Sequence, residues 1–130
     1  MIVRRAYAVW LGSALLTITA LFHFTGYFGI AAPQPGSGPG TFFDAALRPL
    51  WLFASLHWLL TAAICVLVVK GDPRIARTIL LGSAAVVIAD AVLLYLFIGP
   101  FIGEAILVAA GLLLVGAYRS GADVAVIERS

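Results

Sequence analysis

Four apolar runs, each long enough to cross a lipid bilayer as a helix, constrain this chain more than any other feature. They cover about residues 6–28, 49–69, 75–98 and 101–118. A helix needs about 20 residues to cross roughly 30 Å of hydrocarbon, and all four runs fit, the last being the shortest. The runs are continuous rather than alternating in polarity. In lipid the backbone must satisfy its own hydrogen bonds, which leaves helices or a closed barrel, and a barrel needs alternation. Composition agrees: 63% of the 130 residues are apolar and 11% are charged, against about half and about one quarter in a soluble domain. A water-soluble globule, a disordered chain and a secreted disulfide scaffold are excluded. The length allows one domain. The expected fold class is all-α: an integral membrane, antiparallel four-helix bundle forming a single transmembrane domain over residues 1–130.

The breaks between runs carry turn chemistry. Residues 31–40 read AAPQPGSGPG, and their prolines and glycines leave no helical option. They belong to an outer loop expected over residues 29–48. Near its end Thr41-Phe42-Phe43-Asp44 matches a capping box. The second helix is therefore expected to start ahead of the bilayer, with Phe42 and Phe43 at the interface and Pro49 inside it. In the second break Asp72 suits an N-cap and Pro73 the first helical turn. The third break is only Gly99-Pro100, so the last two helices must be adjacent.

Cation positions set the orientation. Arg4, Arg5, Lys70, Arg74, Arg77, Arg119 and Arg129 fall on one side and Arg48 alone on the other, a positive-inside pattern. Both termini are expected in the cytoplasm, in a multi-pass protein of the inner (plasma) membrane. Arg4 and Arg5 followed by Gly29-Ile30-Ala31 also resemble a signal peptide and its cleavage site. The apolar run is longer than the roughly 7–15 residues usual there, which favours an intact helix.

The net charge of +2 is a weak excess, and no basic stripe interleaves with aromatics, so no nucleic-acid partner is expected. Cys65 is the one cysteine and cannot form an internal disulfide. There is no GxSxG elbow, P-loop or CxxC motif, which argues against a serine hydrolase, an NTPase and a thiol oxidoreductase.

Each run carries one group that can titrate at or below neutral pH: His23, His57, Asp90 and Glu104. Such groups are costly in hydrocarbon, and usually face the bundle interior and pair or serve a function. At about 1.5 Å of rise per residue, they lie about 7, 12, 12 and 5 Å below the outer edge. Helical phase puts Thr19 with His23, and Phe53, His57, Thr61 and Ile64 on one face. If those faces turn inward, the bundle encloses an outward-facing polar pocket. Trp51, Trp58, Tyr27, Tyr95 and Arg48 lie at similar levels and are the candidate ligand-binding walls.

Desolvated carboxyls and imidazoles make general acid–base pairs. His57 and Asp90, with His23 and Glu104 as partners, are thus candidate catalytic residues for isomerase- or hydrolase-like chemistry on a small apolar or amphipathic molecule. Hydrogen bonding to a quinone or a lipid head group is a further use. The spacing gives no metal motif such as HExxH, so no metal site is assigned, and no cofactor is specified. Structural explanations exist for each residue taken singly. His23 is near enough to the interface to reach water. Glu104 sits near the first turn of the last helix, where the dipole favours a negative group. His57 and Asp90 can simply bond each other, as interhelical glue worth about 0.6 kcal/mol. Ala8-xxx-Gly12, Ala85-xxx-Ala89 and Ala105-xxx-Ala109 are small-residue pairs that let helices approach, and Cys65 reads as packing.

Asp44-Ala45-Ala46-Leu47-Arg48 opening the second helix, the short basic turn over residues 70–77 and Gly103-Glu104 opening the last helix resemble the small bacterial four-helix membrane proteins of the DoxX-like group. The resemblance covers the second to fourth helices and implies the bundle topology. Some members are linked to quinone-dependent electron transfer. His23 and His57 have no counterpart in that pattern. Two functions from different classes follow from the sequence. One is a bundle that binds, or binds and transforms, a small lipophilic ligand. The other is a non-catalytic accessory or assembly subunit, in a homo-oligomer or larger membrane complex, with quinone or lipid bound.

Overall fold

A computed structural model of the chain describes residues 2–29 and 42–120, and the side chains of residues 2–5, 42–45, 47, 48 and 120 lie outside that description. The described residues are all-α. Helix α1 (Ile2–Gly26) ends in a 3-10 turn (Tyr27–Gly29), and α2 (Phe42–Val68), α3 (Pro73–Ile98) and α4 (Ile102–Ser120) follow. Each is long and apolar enough to cross a membrane, which makes the chain a multi-pass membrane protein. The second helix begins at Phe42, ahead of the apolar run, and carries Pro49 inside it. Thr41 of the capping-box pattern lies outside the described residues.

The α3 boundaries follow from local chemistry. Asp72 is the N-cap: its Oδ1 accepts from the backbone N–H groups of Arg74 at 2.8 Å and Ile75 at 3.2 Å. These are two of the four amide groups a helix start leaves orphaned. Pro73 occupies the first turn, where its missing N–H costs nothing. At the other end Gly99 takes φ of 91° and its N–H reaches the Tyr95 carbonyl at 3.0 Å. Only glycine enters that backbone region without strain.

Packing is uneven around the bundle. Helix α1 lies against α2 and α4, and α4 against α3, while α2 and α3 touch far less. The core draws on all four helices: Val9, Leu16 and Ala20 from α1, Trp58, Ala62 and Cys65 from α2, Leu80, Ala84, Val87 and Ala91 from α3, and Leu107, Ala110, Leu114 and Ala117 from α4. Small side chains recur in that set because apolar helices in lipid gain little from hydrophobicity and associate by close packing. Gly12 meets the Ala110 carbonyl and Leu114, and Gly111 meets Ile88 and the Ala84 carbonyl. Among the described residues no side-chain to side-chain hydrogen bond ties α4 to a neighbour; packing and the Arg77 guanidinium, 5.1 Å over the Tyr118 ring, do so. Thr17, Thr19 and Thr61 turn their hydroxyls back to carbonyls four residues earlier. The outer surface is large and apolar: Phe97 is 84% exposed and Leu96, Leu67 and Ile102 are similarly bare. A water-soluble monomer does not carry such a surface.

A Cβ added at Gly111 would fall 2.6 Å from Ile88 Cγ1, an atom near the base of its side chain. Gly111→Ala is therefore expected to force α3 and α4 apart and cost about 1–3 kcal/mol. Thermal unfolding of the detergent-solubilised protein measures it. An unchanged Tm would contradict the close approach.

Candidate functional site

The site grows out of the end of α1 and the first half of α2. Residue 26 is glycine, and the Trp51 indole lies against it so closely that a Cβ there would sit 2.6 Å from Trp51 Cζ2. Seated on that gap, Trp51 donates from Nε1 to the His23 carbonyl at 2.6 Å and stacks on the His23 imidazole, centroids 4.1 Å apart and planes 14° from parallel. The other edge of the imidazole meets Trp58, at 5.1 Å and nearly perpendicular. His23 Nδ1 lies 3.0 Å from the Ser55 hydroxyl. Ring, hydroxyl and indoles thus fix the imidazole in one orientation.

One turn further along α2, His57 Nε2 lies 3.1 Å from Asp90 Oδ2 on α3. Trp58 Nε1 donates to the same oxygen at 2.9 Å. Both contacts fall on Oδ2, so Oδ1 and His57 Nδ1 keep capacity for another partner. Phe53 stacks on the far side of His57 at 6.3 Å.

Two cavities meet at these residues. One, of about 450 Å³, is almost wholly apolar; Thr19, Phe22, Trp51, Ile98, Phe101 and Leu107 are among its walls. The other, of about 310 Å³, is lined by Phe53, His57, Asp90 and Leu93. His23, Ala54, Trp58 and Leu94 belong to both linings.

The structure brings His23, His57 and Asp90 to one cavity and bonds the last two to each other. Glu104 joins neither the cavities nor the pair; it lies in the first turn of α4, where the helix dipole accommodates it. Of the five proposed wall residues, Trp51 and Trp58 line the cavities. Tyr95 is exposed on α3 and lines neither. Tyr27 sits in the 3-10 turn and packs on Phe24 and Phe28. The Arg48 side chain lies outside the described residues. Among the described residues no group of three or more His, Cys, Asp or Glu could hold a metal ion.

The helical face that carries His57 is turned further outward than its spacing suggests. Phe53 and Ile64 are exposed at 66% and 45%, while the buried stripe is Ser55, Trp58, Thr61, Ala62 and Cys65. On α3 the pattern repeats: Val87 and Ala91 are buried, Val86 and Leu93 exposed. His57 and Asp90 thus stand at the edge of the core, with side chains 31% and 27% exposed, beside the thinly packed α2–α3 seam. Sequence reasoning missed Ser55 as the partner of His23 and the Trp58 N–H as a donor to Asp90. Their i, i+3 spacing was the available signal. Comparison with known proteins returns no match, whether by family model, curated protein or solved structure.

In Gly26→Ala the indole of Trp51 must leave its place, taking with it the stack on His23. The expected outcome is an altered near-UV circular dichroism spectrum and a loss of about 1–3 kcal/mol of stability; a variant with both unchanged would contradict the described contact.

Proposed function

We propose that this protein is an antiparallel four-helix bundle of the plasma membrane, with both termini in the cytoplasm, that binds a small apolar or amphipathic molecule from the lipid at the His57–Asp90 pair. The single observation behind the reading is the bonded pair, partly open to a cavity at the edge of the core. Polar groups at hydrocarbon depth are costly unless paired, and an unfinished pair invites a partner. The neighbouring 450 Å³ cavity offers aromatic and aliphatic walls for an apolar body. The pair is also the acid–base group available for isomerase- or hydrolase-like chemistry: with Asp90 ionised, His57 keeps Nδ1 to accept or donate a proton.

Antiparallel topology is supported by contacts that run in opposite order along neighbouring helices. Gly12 meets Ala110 while Phe22 lies near Gly103, and Ile88 meets Gly111 while Arg77 meets Tyr118. Orientation is supported by the cations. Lys70, Arg74, Arg77 and Arg119 fall at one end of the bundle, and the Gly99-Pro100 turn at the other. The DoxX-like resemblance enters as bundle topology. The accessory-subunit reading also has an observation in its favour: an open groove of about 660 Å³ between α1 and α2, where the Ser13 hydroxyl is buried without a partner.

Two measurements test this. In intact cells, Pro100→Cys is expected to react with a membrane-impermeant maleimide and Gly71→Cys only after permeabilisation; the reverse pattern overturns the orientation. For binding, organic molecules extracted from the purified protein are compared by mass spectrometry with those from the His57→Leu, Asp90→Leu double variant. Removing both avoids leaving either ionisable group buried without the other, at the cost of the acceptor of the Trp58 N–H. The expected result is a molecule retained by the parent and lost from the folded double variant. Equal retention, or none in either, would overturn the binding site.

A further inference from the structure

Resting on that reading, we propose that the cavity beside His57 and Asp90 takes an organic cation: an amphiphilic amine or quaternary ammonium whose charged nitrogen sits against Asp90 among aromatic faces. Asp90 is the one acidic or basic side chain, histidines apart, among the eight residues that line this cavity, and four of the others carry rings: Phe53, Trp58, His23 and His57. No lysine or arginine among the described residues lines either cavity. His57 Nε2 and the Trp58 Nε1–H both meet Asp90 Oδ2, so Oδ1 remains for a ligand. A negative charge at this depth is expensive, and a cation removes that cost where a neutral alcohol would add one hydrogen bond. Indole and phenyl faces attract ammonium groups, most strongly where water is excluded.

The same geometry fixes the rest of the molecule. Phe53 and Leu93 line the cavity and are 66% and 52% exposed on the outer surface of the bundle, so the cavity opens sideways along the α2–α3 seam. A ligand entering there comes from the lipid and needs an aromatic or alkyl body beside its charged nitrogen. Leu93, Leu94 and Phe53 supply the apolar contacts for it.

The test compares a phenylalkyl-trimethylammonium ion with its carbon isostere, in which a tert-butyl group replaces trimethylammonium. Both are measured by equilibrium dialysis against the full chain in dodecyl maltoside micelles, which carry no charge and no amine, with empty micelles as the blank. The expected result is saturable binding of the cation, the isostere weaker by roughly tenfold or more, and loss of the cation's advantage in Asp90→Asn. Should that variant fail to fold, the isostere pair on the parent chain decides alone. Equal binding of the two probes would overturn the cation and leave a lipophilic site standing. Saturable binding of neither would overturn both. A cation advantage that persists in folded Asp90→Asn would overturn the assignment to Asp90.

Discussion

Close approach of α4 to its two neighbours is the contact on which the arrangement depends. Glycine and alanine let the α4 backbone meet α1 at Gly12 and α3 at Gly111. Where side chains are this small, helices settle by van der Waals contact alone. Among the described residues α2 meets α3 instead through the hydrogen bonds on Asp90. At that seam stand Trp58, His57 and Phe53, whose bulk keeps the two helices apart and leaves space between them. The polar pair and the tight small-residue contacts are therefore two aspects of one uneven distribution of side-chain volume.

The same unevenness explains how Asp90 can be both held and accessible. A carboxylate inside a closely packed interface would have to be fully enclosed, and its desolvation would be large. At the edge of the core it keeps two fixed partners on one oxygen while its side chain stays partly open. His23 is treated differently: stacked on Trp51, edge-on to Trp58 and bonded to Ser55, it is held in one orientation although it borders both cavities. Of the two imidazoles, His57 is the one with freedom to respond to a partner.

Much of the fold was legible in the sequence because the membrane simplifies the problem. Length and unbroken apolarity suffice to mark a crossing helix, and Asp72-Pro73 and Gly99 mark boundaries through backbone chemistry that does not depend on tertiary context. The phase of the helices was much less legible. In water a helix announces its buried face by polarity; in lipid both faces are apolar, so the stripe Phe53, His57, Ile64 looks as suited to the interior as Ser55, Trp58, Cys65. Side-chain size carries the missing information. On α3 the buried positions are Ala76, Leu80, Ala84, Val87 and Ala91, mostly small, while Leu93, Leu96 and Phe97 face out. Glu104 illustrates the same limit: its depth matched the other three groups, but depth along an axis says nothing of azimuth around it.

The threonines that fold their hydroxyls back onto their own helices have a mechanical consequence. Because Thr17, Thr19 and Thr61 are satisfied within α1 and α2, they do not pin one helix to another, and α4 is held largely by shape, with a guanidinium–ring contact beside it. Its grip on the bundle is thus a competition between protein and acyl chains for the same surface. Lateral pressure and bilayer thickness, rather than ionic strength, are the variables that would loosen it.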